Sequence, residues 1–157
     1  LIKTRRGRGK DAILDNIIFR DLMMEQVMTP FTANAFYFCD PDGRTEFVQS
    51  REPYPVDDGT PSMKRFCFEN ITAKDCHVAA SYFDGLPEQK IEQITMRNVS
   101  FAGQAKCDVP IMSNGVEACC KKGLYARNVK KLVLGNVSIE GCEGEEIELH
   151  NVDEVER

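Results

Sequence analysis

Four eight-residue segments of this chain share one arrangement of apolar and polar positions: IIFRDLMM from Ile17, FCFENITA from Phe66, ITMRNVSF from Ile94 and LVLGNVSI from Leu132. Positions one, three, six and eight are apolar, and position five is Asp or Asn. A strand with one buried face alternates with period two, which would put the second apolar pair at five and seven. The slip by one residue predicts a tight corner joining two strands, because Asn and Asp tolerate the left-handed backbone and bond locally. LYARNV from Leu124 and IELHNV from Ile147 carry related corners at Asn128 and Asn151.

Those last two corners lie 23 residues apart, a natural length for one turn of a β-solenoid, and Asn70 and Asn98 lie 28 apart. The gaps of 49 residues from Asp21 to Asn70 and 38 from Asn98 to Asn136 require excursions. These fall in the Pro-, Asp- and Gly-rich stretch from Cys39 to Ser62 and around Gly103 to Gly123. Repeats of about 20–50 residues with insertions at the corners mark a solenoid. Stacked turns would bring Asp21, Asn70, Asn98 and Asn136 into line as a ladder of side-chain amides. Asn70, Asn98 and Asn136 also open glycosylation sequons, which we expect to be unused because a corner amide should be buried. Leucine-rich repeats are the competing solenoid, but their Asn falls three positions after the last strand leucine. Here it falls two after the apolar residue, and Val, Ile and Phe outnumber Leu at these positions. The expected fold is therefore all-β, a partial parallel β-helix with irregular loop excursions, formed by residues 1–157 as one domain.

Composition narrows this picture without changing it. The chain is 42% hydrophobic and 29% charged, as a folded globular protein would be. No stretch approaches the ~20 apolar residues of a membrane span, and the amino terminus does not resemble a signal peptide. The chain opens on Leu inside a patterned motif, which suggests a piece of a longer polypeptide. The net charge is −5, and the acids gather after Glu140, which reads as a solvated end cap. No extended basic stripe opposes them, so nucleic acid is not expected as a partner. The seven cysteines (Cys39, Cys67, Cys76, Cys107, Cys119, Cys120 and Cys142) include no CxxC pair, and His77 and His150 are not at zinc-finger spacing. We expect no metal, no cofactor, and reduced thiols in a cytoplasmic protein, with secretion as the alternative.

Candidate chemistry begins with the first ten residues, LIKTRRGRGK. Lys3, Arg5, Arg6, Arg8 and Lys10 form a positive cluster in an otherwise acidic chain, suited to a substrate bearing carboxylates. Asp57-Asp58 sits among Pro53, Pro55, Gly59 and Pro61 and reads as turn chemistry. His77, without flanking glycines, reads as structural.

Two stretches carry a family resemblance. IKTRRGRG followed by AILDNIIFRDL, and GLYARNVKKLVLGNVSIEG followed by LHNV, resemble the carboxy-terminal coils of glycoside hydrolase family 28, the polygalacturonase-type pectinases. FCDPDGRTEFVQ, PVDDGTP and FENITA also fit its bacterial members, so the similarity runs over essentially the whole chain. The resemblance implies a right-handed parallel β-helix that hydrolyses α-1,4-galacturonosyl linkages of pectin with inversion. It assigns Lys3, from the family's Arg-Ile-Lys motif, to binding a galacturonate carboxylate, with Arg5 or Arg6 as helpers. Leu1 stands where the family has Arg. Tyr37 is the match for a sugar-contacting tyrosine of the next coil; its bland alternative is a strand-end aromatic packed on a loop. The family's Asn-Thr-Asp, Asp-Asp and Gly-His-Gly motifs precede the Lys motif and have no counterpart here, so no catalytic residue is assigned in this chain. The implied partner is polygalacturonate or an oligogalacturonide, with self-association through exposed coil ends. A non-catalytic carbohydrate-binding or scaffold solenoid is the alternative. A calcium-dependent pectate lyase is weakened by the lack of an acidic cage.

Overall fold

The computed structural model describes residues 1–103 and 119–157, so Cys107 and much of the expected second excursion lie outside the described residues. Among the described residues ten strands and one short helix follow in order: β1 (Ile2–Lys3), β2 (Ile13–Leu14), β3 (Ile17–Glu25), β4 (Phe31–Asn34), α1 (Glu46–Gln49), β5 (Ser62–Met63), β6 (Arg65–Cys76), β7 (Ala79–Asp84), β8 (Ile91–Gly103), β9 (Lys122–Glu140) and β10 (Ile147–Glu156). The main sheet runs β1-β4-β7-β9-β8-β6-β3, with β10 also on β9, and β2 pairs β5 separately. Every one of these strand pairs is parallel. The sheet curls because its long strands bend; β9 meets β7 through its first part and β8 through its remainder. The fold is all-β, as the alternation required.

The four matched segments stack position for position. Ile17, Phe66, Ile94 and Leu132 share one row, and Leu22, Ile71, Val99 and Val137 share another across the corner. Most of these side chains enter a common core, where the Phe19 and Phe68 rings lie parallel at 5.6 Å. Burying a Phe, Leu or Ile contributes about 1.5–3 kcal/mol each, so this interior is the main stabilising term.

Each slip is a left-handed corner. Asp21, Asn70, Asn98 and Asn136 have φ between 53° and 56°, and Asn128 and Asn151 share that conformation. The expected ladder forms: Asn70 Nδ2 donates to Asp21 Oδ1 at 2.9 Å, Asn98 to Asn70 at 3.2 Å, and Asn136 to Asn98 at 3.0 Å. Asn151 donates to Asn128 at 2.6 Å in a second ladder. One expectation is overturned. Asp21, Asn70, Asn98 and Asn136 are exposed, because their side chains point away from the core and no described segment covers them, whereas Asn128, in the same conformation, is buried and donates to the Gly85 carbonyl. Burial therefore gives no ground for dismissing the sequons; the Nδ2 atoms are instead occupied by the ladder.

Asn98→Ala should cost about 2 kcal/mol by urea unfolding, combining roughly 1–2 kcal/mol of left-handed strain with two weak solvent-exposed bonds. Asn98→Gly should recover the strain and not the bonds. Equal losses for the two would show that the conformation is not what selects Asn here.

The excursion between β4 and β5 is tied to the end of β7 by Arg51, which donates to Asp84 at 2.7 Å, and to the segment after β4 by Gln49, which donates to the Phe36 carbonyl at 2.8 Å. Asp57 Oδ1 accepts from Gly59 N at 2.8 Å, which makes Asp57-Asp58 the turn expected. The six described cysteines are free, and burial pushes the Cys76 thiol up to about 11.

Candidate functional site

The site is built where β1 meets the chain leaving β4. Lys3 lies opposite Asn34 in the parallel register, which sends its side chain to the outer face. The chain then turns back: Thr4 N donates to Asn34 O at 3.0 Å, Tyr37 N donates to Thr4 O at 3.2 Å, and Arg5 bridges Phe36 antiparallel. These bonds fix Tyr37 beside Lys3, and the ammonium sits 3.9 Å from the centre of the tyrosine ring. The two residues assigned by resemblance, 34 positions apart in sequence, are thus brought together. A cation over an aromatic face gains about 0.5–1 kcal/mol at an exposed site and holds the amine in place.

An open groove of about 380 Å³ lies beside this pair, lined by Lys3, Thr4, Arg8, Asp11, Ala12, Ile13, Leu14 and Tyr37. Its size falls in the ~300–1,000 Å³ range of small-ligand clefts. Lys3 is exposed and makes no ion pair with any described residue. It is free to meet an incoming anion.

The rest of the basic cluster behaves differently from expectation. Arg5 and Arg6 are 4% and 1% exposed and cannot serve as helpers for a substrate carboxylate. Arg5 forks onto Asp42 with two bonds of 2.8 Å and also reaches Asp40 at 3.3 Å. Burial works against its charge, but those carboxylates more than offset this and raise its pKa, while Arg5 holds Asp42 below the usual range. Arg6 forks onto the buried Glu88 at 2.6 and 2.9 Å and donates to the carbonyls of Phe47, Ser50 and Glu52. Lys10 pairs with Asp58 at 2.8 Å. Arg5 and Arg6 are therefore buried structural ties that bind the excursion to the amino-terminal turn, while the Lys10 pair is exposed. Arg8, about half exposed, bonds Asp40.

Neither a family model, nor a curated protein, nor a solved structure matches this chain.

Further along the same outer row, register places Asn34, Asp84, Arg127 and His150 in succession after Lys3. Asp84 is fully buried, gripped by Arg127 through two bonds of 2.8 Å and by Arg51 at 2.7 Å. Arg51 stacks 3.6 Å from the centre of the Phe36 ring, and burial lowers its pKa. Beside them the Tyr82 and Tyr125 rings stack at 4.5 Å, and desolvation raises the pKa of both phenols. Sequence reasoning missed this cluster. One signal was present: an acid, Asp84, ends the largely apolar run AASYF from Ala79 with no basic residue near it in the chain. Neither His77 nor the Asp57-Asp58 pair lines the groove. Among the described residues, no group of three or more His, Cys, Asp or Glu could hold a metal ion.

Proposed function

We propose that this chain is the carboxy-terminal part of a right-handed parallel β-helix hydrolase of the polygalacturonase type, in which Lys3, steadied by Tyr37, holds a galacturonate carboxylate. The observation that carries the reading is an exposed ammonium, unpaired and stacked on an aromatic ring at the edge of a groove, while Arg5 and Arg6 beside it are spent internally. The in-register stack of slipped segments supports the helical winding.

Inverting hydrolysis needs one protonated carboxyl at the leaving oxygen and one carboxylate activating water, about 6.5–9.5 Å apart. Among the described residues Asp11 is the one carboxylate lining the groove, so this chain supplies binding and orientation, and the acids belong to coils beyond it. The same observation favours a second reading, a carbohydrate-binding solenoid without catalysis. The first-coil edge carries exposed Leu1, Ile13, Ile18, Met23 and Met28 and an apolar cavity of about 130 Å³. Those features support self-association there, or cover by a further coil.

The test is binding and reducing-end release, measured side by side. The 157-residue chain should bind trigalacturonate and release no reducing ends from polygalacturonate. Lys3→Met should weaken binding about ten- to a hundredfold, as loss of a charge-assisted contact does. Unchanged affinity in that variant removes the reading. Hydrolysis by the chain alone would refute the assignment of the acids elsewhere. A longer form with Asn-Thr-Asp, Asp-Asp and Gly-His-Gly motifs that hydrolyses the polymer would decide between the two readings.

A further inference from the structure

Arg8 differs from its neighbours in how its charge is spent. Arg5 already has a complete two-bond fork on Asp42, so Asp40 is left largely to Arg8. The bond runs through Nη2, and the Arg8 side chain makes no other hydrogen bond with a described residue. Nε and Nη1 therefore keep their N–H donors available. The residue sits in a turn whose backbone is tied down on both sides: Gly7 N and Gly9 N donate to Gly59 O at 2.9 and 3.2 Å, and Lys10 N to Asp58 O at 2.9 Å. Asp40 then orients a guanidinium whose loop is already fixed. That guanidinium lines the same groove as Lys3.

The same groove is lined by Asp11, which makes no ion pair with a described residue, and by Thr4, Ala12, Ile13 and Leu14. A single carboxylate sharing a groove with two cations disfavours a dense polyanion and accepts bonds from hydroxyl groups. The combination suits a ligand carrying both carboxylates and hydroxyls.

We propose that Arg8 is a second carboxylate subsite, so that the groove takes two uronic-acid units of one oligosaccharide, the first on Lys3 and the second on Arg8. This rests on the galacturonate reading of Lys3 and extends it from one sugar to two. Arg is suited to the task because its planar fork can hold Asp40 on one edge and a ligand carboxylate on another. Asp40 acts as the positioning residue.

The experiment titrates the full chain, Arg8→Gln and Lys3→Met with galacturonic acid, trigalacturonate and a neutral galactose trimer, by calorimetry at fixed low salt. Arg8→Gln should weaken trigalacturonate about tenfold and leave galacturonic acid within about twofold, the retained monosaccharide site also showing that the variant is folded. Lys3→Met should weaken both acids, and the neutral trimer should bind neither variant nor parent comparably. An Arg8→Gln protein with unaltered trimer affinity overturns the second subsite and leaves the Lys3 reading standing. Equal losses for monomer and trimer in Arg8→Gln also overturn it, since Arg8 would then belong to the first site. Failure of the parent chain to bind any acidic sugar overturns both.

Discussion

Arg6→Ala is expected to cost the fold about 3–5 kcal/mol, the loss seen when one member of a buried ion pair is removed. The reason lies in what remains. Glu88 has 4% of its side chain exposed and would be left as an uncompensated buried charge. The carbonyls of Phe47, Ser50 and Glu52 would lose their shared donor at the same moment. Those residues belong to the excursion between β4 and β5, so the damage should be local before it is global. Urea unfolding should report the loss, and limited proteolysis should cut first between Cys39 and Ser62. The double variant Arg6→Met with Glu88→Leu should recover much of the loss, because replacing both charges removes the desolvation problem. It should not recover all of it, since the three carbonyls still lack a partner. A loss below about 1 kcal/mol for Arg6→Ala would mean that water reaches this pair.

Asp84→Ala should be equally severe and fail in a different way. Its carboxylate is fully buried and holds Arg51 from the excursion and Arg127 from β9. Without it two guanidinium groups face each other in a poorly solvated place, at about 3–5 kcal/mol. Their mutual repulsion already lowers the Arg51 pKa alongside burial. Arg127 depends on the same acid: burial opposes its charge, and Asp84 outweighs this and raises its pKa. We expect Asp84→Asn to retain the shape and lose most of the stability, because the amide brings no charge to separate the cations. Hydrogen exchange should show early opening of the amides of β7 and the adjoining part of β9, while β3 and β6 stay protected. Uniform loss of protection across the sheet would contradict this division.

Local backbone demands were the legible part of the fold. Asp21, Asn70, Asn98 and Asn136 could be read from the slipped alternation because a left-handed corner selects the residue at one position, whatever surrounds it. The 23-residue spacing of Asn128 and Asn151 likewise became a true register. The direction of the corner side chains was not legible, since a conformation fixes the turn and the neighbouring strands decide which side faces water. Charge pairing was the least legible. Nothing in LIKTRRGRGK distinguishes Lys3, which stays open, from Arg6, which is buried against an acid 82 residues away. Partner identity over such separations is a property of the finished stack. The same holds for Arg51, Asp84 and Arg127, drawn from three distant stretches.

The amide ladder at the corners has a direction. In each step the nitrogen of the later residue reaches back to the oxygen of the earlier one, and the series begins at Asp21. A carboxylate accepts and has no hydrogen to hand on. Any strand laid over the free edge of β3 must therefore bring its own proton to that corner, from a lysine, a threonine or a reversed amide. An asparagine continuing the same polarity would set oxygen against oxygen, so Asp21 fixes both where the series starts and what chemistry is admitted beside it.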